Sequence, residues 1–223
     1  MYMIYNIQNE KENLMADKNE LAVFVALDRS GSMSGERWTT AIESLNDYIK
    51  GLQKEKVEGE VTIVAFDSHW APRGQSATRL ETITEDKSIA YFEPLKHDVL
   101  SPAGGTPLYD AAAHVMDRAL ERNAKRTVVV ILTDGEENQS REYNQVKIKD
   151  KVKVLQEKNW EVIFLGANFD VTTYTAQAGL ASTKMRSVDF NDKWATATMS
   201  ADLTSSTIAY AVKGAAMNMN EVK

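Results

Sequence analysis

The sequence predicts an α/β fold, a doubly wound (Rossmann-like) and mostly parallel sheet of about six strands with helices on both faces. Continuous apolar runs rich in Val and Ile are typical of strands buried on both faces. Amphipathic segments with a period of three to four residues alternate with these runs and predict helices packed on the sheet. One further segment alternates polar and apolar residues, which is typical of an antiparallel edge strand. Alternating strands and helices favour right-handed crossovers between parallel strands.

The predicted strands follow one another as apolar runs. They occupy residues 21–27, 60–66, 127–133, 161–166 and, more weakly marked, 185–190. The alternating segment 76–84 is expected to pair with the second run through the turn "DSHWAPRGQ". With 76–84 counted as the third strand, 127–133 is the fourth. In the common strand order 3-2-1-4-5-6, the first and fourth strands diverge at their carboxyl ends and leave a crevice there.

Four helices are predicted from the spacing of apolar residues. The first runs from Trp38 to Leu52, the second from Leu108 to Leu120, and the third occupies about 142–158. A terminal helix over about 191–217 is expected to cover the sheet, because small residues in its helical register allow close approach to a neighbour. The residues in that register are Trp194, Ala197, Ala201, Ser205, Ile208, Val212 and Ala215.

Length and composition favour one globular domain. The chain has 223 residues, of which 43% are hydrophobic and 26% are charged, and this is ordinary globular composition. We expect a loosely ordered N-terminal arm over 1–18, with Met15 as an alternative start, and a single domain over 19–223. The N-terminus lacks the pattern of a secretory signal, and no window approaches the roughly 18 to 20 apolar residues of a membrane-spanning helix.

Charge and cysteine content exclude several classes of function. The 32 acidic and 26 basic side chains give a net charge of -6, which disfavours non-specific binding to nucleic acid. The absence of cysteine excludes disulfides, zinc–thiolate sites and thiol catalysis. It also fits a cytoplasmic protein.

Three polar loops are expected to meet at the crevice. The first strand runs directly into Asp28, Ser30 and Ser32 in "LAVFVALDRSGSMSGERW". Thr106 lies in "SPAGGTPLYDA" before the second helix, and Asp134 lies in "LTDGEEN" after the fourth strand. Carboxylate and hydroxyl oxygens are hard ligands that suit Mg²⁺ or Mn²⁺ better than soft or imidazole-loving metals. The sequence therefore predicts a divalent-cation site.

These motifs resemble the metal-ion-dependent adhesion site (MIDAS) of the von Willebrand factor type A (vWA) family. The resemblance implies that Ser30, Ser32 and Thr106 ligate the cation through their hydroxyls. Asp28 and Asp134 would act partly through water or as outer acceptors. In that family the domain is a binding module, and an Asp or Glu carboxylate from a partner protein completes the coordination.

The resemblance covers roughly residues 20–190, which is most of the chain. The chain therefore resembles the small stand-alone type A proteins of bacteria and phages more than the multidomain adhesins. Four neighbouring residues are predicted to form a partner-binding rim around the site. They are Arg29, Trp70, Gly105 and Glu136.

Each of the larger side chains on this rim has a second interpretation. Arg29 either meets an acidic ligand or is a solvated surface charge. Trp70 either anchors a partner or packs under the edge hairpin. Glu136 and Glu137 either tune the cation or form a salt bridge with a partner, or they serve a helix N-terminus, and the last role is the more common for acids in such a loop.

Two alternatives to a binding module are a metal-dependent hydrolase or phosphoryl-transfer enzyme and a nucleic-acid-associated scaffold. Neither a G-x-x-x-x-G-K-[ST] loop nor a G-x-S-x-G elbow is present, and "GSMSG" places Met33 where the nucleophile of such an elbow would lie. No general base is spaced beside the motif. The acidic balance weakens the scaffold hypothesis, and we expect that the protein is not an enzyme.

Overall fold

A six-stranded sheet forms the centre of the computed structural model, which describes residues 21–71, 75–166, 179, 181 and 184–219. The strands are β1 (Leu21–Asp28), β2 (Gly59–Ala71), β3 (Gln75–Ser88), β4 (Arg126–Thr133), β5 (Glu161–Gly166) and β6 (Met185–Ser187). Their order is β3-β2-β1-β4-β5-β6, and only the β2–β3 pairing is antiparallel. The predicted doubly wound sheet with one antiparallel edge strand is confirmed.

Helices cover both faces of this sheet. They are α1 (Glu36–Lys54), α2 (Leu108–Arg122), α3 (Gln145–Glu157) and α4 (Lys193–Lys213). Alternate residues of β1 point to opposite faces, so Val23 and Val25 pack with α1 and α4 while Phe24 and Ala26 pack with α2 and α3. The unbroken apolar run of β1 thus fills two cores, one on each side of the sheet.

The register of the central strands positions the polar loops. Leu27 of β1 lies opposite Leu132 of β4, and Asp28 lies opposite Phe66 of β2. The loops that follow β1 and β4 therefore leave the same edge of the sheet side by side. This is the crevice that the strand order predicts.

The β2–β3 hairpin is longer than the sequence predicts. Pairing continues to Ala71 opposite Gln75, so the expected nine-residue turn is largely strand. The polar residues that resemble a turn are tolerated because Asp67 of β2 lies opposite Arg79 of β3 and forms an ion pair with it. Trp70, which the sequence places after the second run, lies within β2.

The C-terminal helix forms, but the face predicted to be buried is wrong. Trp194 is 79% exposed and Val212 is 66% exposed. The buried residues of α4 are Thr196, Met199, Ser200, Leu203, Thr207 and Tyr210. The polar face can pack because its hydroxyls find partners on α1. Ser200 Oγ donates to the Ser44 carbonyl at 2.9 Å, and Thr207 Oγ1 lies 3.0 Å from the Tyr48 hydroxyl.

The expected N-terminal arm over 1–18 lies outside the described residues, and the single-domain organisation over 19–223 stays a prediction. Within the described segments, the helices are all too short or too polar to cross a membrane.

Candidate metal centre

Asp28, the last residue of β1, is held from two sides in the interior. Its Oδ1 accepts a hydrogen bond from the Ser30 backbone N–H at 2.7 Å, and its Oδ2 accepts one from Thr133 Oγ1 at 2.6 Å. Burial raises the pKa of this carboxyl from its ordinary value of 3.8 to about 7, and the nearby charge of Asp134 raises it further by a smaller amount. A bound cation would favour the charged form.

The two serines of the motif connect the β1 loop to the β4 loop. A short 3₁₀ turn over Gly31–Met33 follows Ser30 and brings Ser30 Oγ to 3.0 Å from Ser32 Oγ. Ser32 Oγ then donates to Asp134 Oδ1 at 2.7 Å. Ser30 is buried whereas Ser32 is exposed, so the site opens to solvent on the Ser32 side.

The third loop approaches through Gly104. The Gly104 carbonyl accepts from the Gly31 N–H at 3.0 Å. Its φ is +69°, and a Cβ at this position would stand 1.8 Å from the Ser68 carbonyl oxygen, so glycine is required for so close an approach. The loop continues to Thr106, whose side chain is buried beside Gly135. A Cβ on Gly135 would stand 3.0 Å from Thr106 Oγ1.

The structure thus brings all five predicted ligand residues together at the carboxyl ends of the central strands β1 and β4. They are Asp28, Ser30, Ser32, Thr106 and Asp134. In the described part of the chain, no group of three or more His, Cys, Asp or Glu side chains is arranged to hold a metal ion. The donor set instead combines three neutral hydroxyls with two carboxylates, and these are hard oxygen donors that fit Mg²⁺ or Mn²⁺.

Two residues outside the predicted set hold these ligands in place. Thr133 donates to Asp28, as described above. Asn138 forms a reciprocal pair of bonds with Thr106, because the Thr106 N–H donates to Asn138 Oδ1 at 2.9 Å and the Asn138 N–H donates to the Thr106 carbonyl at 3.1 Å. Both residues lie in the same motif as Asp134, "LTDGEEN". This closeness in sequence is the feature from which their role could have been predicted.

Arg37 also contacts a predicted ligand and lies outside the predicted set. Arg37 Nη1 lies 3.0 Å from Asp134 Oδ2 and 3.2 Å from the Ser32 carbonyl oxygen. Since Ser32 Oγ occupies Oδ1, both carboxylate oxygens of Asp134 already accept hydrogen bonds. Arg37 lies in the first turn of α1. Its guanidinium thus places a positive charge directly beside the carboxylate of Asp134, one of the predicted metal ligands.

Arg29 does not lie on the rim, and both interpretations of it as an exposed charge are wrong. The residue is only 3% exposed. Its side chain pairs with acids of the two neighbouring strands, where Nε bonds Asp67 Oδ2 of β2 at 3.1 Å and Nη1 bonds Glu81 Oε2 of β3 at 2.8 Å. The partly exposed Arg79 binds the same Asp67 carboxylate. A buried carboxylate on the neighbouring strand provides a partner that local sequence does not reveal.

The other rim residues have different outcomes. Glu136 is exposed in the β4 loop, and Gly105 is half-buried, with its N–H donating to Ser68 Oγ at 2.8 Å. The side chain of Trp70 lies outside the described residues. Glu137 accepts from the Tyr109 N–H in the first turn of α2 at 2.9 Å, so the helix-terminus interpretation holds for this acid.

Comparison with known families gives the assignment. A family model described as "von Willebrand factor type A domain" matches residues 22–204. The chain belongs to this family. Type A domains generally mediate protein–protein interactions. No curated protein matches the chain.

Solved structures share the type A fold at low sequence identity. Proximal thread matrix protein 1 from the mussel byssus is 13% identical with a TM-score of 0.57, and the match covers 83% of this chain and 45% of that one. A type A protein from Catenulispora acidiphila is 16% identical with a TM-score of 0.55, over 86% and 43% of the two chains. This chain therefore spans less than half the length of either protein.

A third similar structure was solved with a metal. The manganese-loaded TRAP protein of Plasmodium vivax is 16% identical, with a TM-score of 0.54, and the match covers 80% of this chain and 72% of that one. At such identities the likeness demonstrates the fold alone.

Proposed function

We propose that this type A domain is a divalent-cation-dependent protein-binding module. Its five MIDAS-type residues would hold Mg²⁺ or Mn²⁺, and a partner protein would supply an Asp or Glu carboxylate. The observation that carries the proposal is the convergence of three hydroxyls, two from the β1 loop and one from the loop that carries Thr106, beside two buried carboxylates. The binding role of the family and the manganese in the TRAP structure support it.

The side chains of the site suit the capture of an outside acid. When bound, the cation supplies a positive charge that a partner's carboxylate can coordinate. Because Ser30, Ser32 and Thr106 are neutral, they leave much of that charge uncompensated. Asp28 is buried and therefore faces away from a partner. The exposed side of Ser32 is the direction from which a partner's acid can approach.

We also propose that the site is not catalytic. Within the described residues, the groups that hydrogen-bond the carboxylates of Asp28 and Asp134 come from Ser30, Ser32, Thr133 and Arg37. Asp28 has a pKa of about 7 but is fully buried, and none of the other four side chains is a general base at neutral pH. The arrangement therefore favours a binding role for the two acids.

A capture experiment with the Ser30→Ala, Ser32→Ala double variant tests the binding role. Proteins from the source cell would be captured on the native chain in Mg²⁺ and in EDTA, and the affinity of the recovered partner would then be measured. We expect native binding in Mg²⁺ and a loss of at least about tenfold in EDTA or in the double variant, because one coordinated carboxylate contributes more than about 1.4 kcal/mol. Ser34→Ala, an exposed serine of the same loop, is the matched control and should bind like the native chain.

Equal affinities in Mg²⁺, in EDTA and for the folded double variant would show that this site does not bind the partner. Hydrolysis of nucleotides, phosphoesters or peptides that requires Ser30 and Ser32 would contradict the non-catalytic role. Circular dichroism on each variant confirms that the comparison is made between folded proteins.

Replacing Arg37 with methionine should tighten Mn²⁺ binding. The guanidinium donates to Asp134 Oδ2 and would repel a cation. Its removal therefore leaves that carboxylate oxygen available to the metal and takes one positive charge away from the site. We expect the dissociation constant for Mn²⁺ to fall about tenfold, which equals about 1.4 kcal/mol. Isothermal titration calorimetry measures the change, and Lys50→Met, an equal charge change on the exposed side of α1, is the control. Unchanged or weaker binding by Arg37→Met would contradict the prediction.

A further inference from the structure

A cavity lies at the amino-terminal ends of β4 and β5, at the opposite end of the strands from the candidate metal centre. The strands are parallel here, so β4 and β5 begin, with Arg126 and Glu161, at the edge away from Asp134. The cavity has a volume of about 420 Å³, which is within the usual range for small-molecule sites. Its walls include Lys125, Arg126, Lys158, Trp160, Lys184 and Tyr210.

The charge in this cavity is strongly unbalanced for a chain with a net charge of -6. Four of its lining residues are Lys or Arg, and one, Glu161, is acidic. Glu161 is already engaged, because Lys184 Nζ forms an ion pair with its Oε2 and the Met217 N–H donates to its Oε1 at 3.2 Å. Among the described ion pairs, none includes Lys125, Arg126 or Lys158.

Arg126 is the residue that points to a ligand. Its Nη1 is buried, and no atom in the described part of the chain accepts a hydrogen bond from it. A buried donor without a partner costs free energy, so native structures nearly always satisfy such groups with protein atoms, water or a ligand. Lys158 is also held near the cavity, since its Nζ bonds Asn123 Oδ1 at 3.0 Å and lies 5.0 Å from the ring centroid of Trp160.

Helix dipoles do not account for this arrangement. Helices α2, α3 and α4 all end near this edge, and cations are often found beside the carbonyls of helix C-termini. A cation in that role can donate to those carbonyls, whereas none of the described residues accepts from Arg126 Nη1. An acceptor from outside the protein can satisfy this donor.

We propose that this cavity binds an oxyanion, the phosphate group of a small molecule, with Arg126 as its principal donor. The planar guanidinium presents paired N–H groups that match phosphate or carboxylate oxygens. Lys125 and Lys158 add positive charge at the cavity wall. A carboxylate shares this chemistry and is the other source that the experiment distinguishes.

Thermal unfolding of the full chain in inorganic phosphate tests the proposal, with malonate as the carboxylate probe and sodium chloride at equal ionic strength as the reference. We expect a saturable rise in Tm of about 4 °C or more at saturating probe. Arg126→Met should remove the rise. Lys50→Met, which removes an exposed cation of α1 that does not line the cavity, should keep it.

The energetics give a second readout. In buffer without oxyanions, Arg126→Met should be as stable as the native chain or more so, because the variant removes a buried donor that has no partner. A structural role for Arg126 would instead lower stability in that buffer. If Arg126→Met does not fold, Lys125→Met with Lys158→Met should weaken the probe's affinity about tenfold.

A native Tm that follows sodium chloride alone in both probes would overturn the proposal. So would an equal rise in Arg126→Met, or a loss of stability by that variant without oxyanions. A rise with phosphate alone identifies a phosphate site, and a rise with malonate alone identifies a carboxylate site and overturns the choice of phosphate. Every measurement is made on protein freed of divalent cations by a chelating resin, with no soluble chelator present, so the result is independent of the metal centre.

Discussion

Replacing Asp67 with alanine is expected to destabilise the protein by about 3–5 kcal/mol. The Asp67 side chain is fully buried, and it accepts from Arg29 Nε at 3.1 Å and from Arg79 Nε at 2.7 Å. Arg29 is itself buried, and its Nη2 already lacks a hydrogen-bond partner among the residues that the structure describes. Without Asp67, the guanidinium would keep Glu81 as its one acidic partner, and a buried charge left undercompensated is costly.

Urea-induced unfolding of the native chain and two variants measures this effect. Glu81→Ala is the matched control, because it removes the other acidic partner of Arg29 from a side chain that is 48% exposed, and solvent screening should make its loss smaller than that of Asp67→Ala. Equal losses in Asp67→Ala and Glu81→Ala would show that burial of Asp67 does not determine the energy of the cluster.

The ion cluster around Arg29 also connects the core to the candidate site. The Arg29 backbone N–H donates to the Phe66 carbonyl at 2.9 Å, and the Arg29 carbonyl accepts from the Ala103 N–H at 2.8 Å. The residue thus joins the β1 loop to β2 and to the loop that carries Thr106. Its position inside the motif has a structural explanation instead of the expected rim role.

The parts of the fold that the sequence predicts well are those governed by local pattern. The Val- and Ile-rich run of β1 has one reasonable position, in the middle of a sheet covered on both faces. Once the strand order is assumed, the ends of β1 and β4 must be neighbours, and Asp28 and Asp134 follow directly. The convergence of the motif residues could therefore be anticipated without coordinates.

Features that depend on partners distant in sequence could not be anticipated. The buried face of α4 carries Thr and Ser because Ser44 and Tyr48 on α1 bond their hydroxyls, and periodicity cannot reveal such pairing. The burial of Arg29 depends on Asp67, 38 residues later. Arg37 reaches an acid 97 residues away. In each case the hydrophobic pattern favours exposure, and a specific polar partner overrides it.

Asp28→Asn is expected to remove both the metal response and the main pH dependence of stability. The pKa of Asp28 is raised from 3.8 to about 7 by burial, so the folded chain binds this proton more tightly than the unfolded chain. The resulting stabilisation is fully present below pH 4 and is lost as the pH rises to about 7. The loss is about 4 kcal/mol at about 1.4 kcal/mol per pKa unit.

The asparagine can keep the local hydrogen bonds. Its Oδ1 can accept from the Ser30 N–H, and its Nδ2 can donate to Thr133 Oγ1, which lies 3.2 Å from the Gly135 carbonyl oxygen and can donate to it. In EDTA at pH 8, the variant should therefore be more stable than the native chain by a few kcal/mol, because no charge is buried.

Addition of Mg²⁺ should reverse this order. The native carboxylate gains a cationic partner, so millimolar Mg²⁺ is expected to raise the native Tm by several degrees and to leave Asp28→Asn nearly unchanged. Denaturant unfolding from pH 4 to pH 8, with Mg²⁺ and with EDTA, measures both effects, and Asp47→Asn at an exposed position of α1 should behave like the native chain. Native stability in EDTA that rises over this pH range relative to Asp28→Asn would contradict the raised pKa. Equal Mg²⁺ responses in the two proteins would exclude Asp28 from the metal site, because an asparagine at that position lacks the charge that the cation would stabilise.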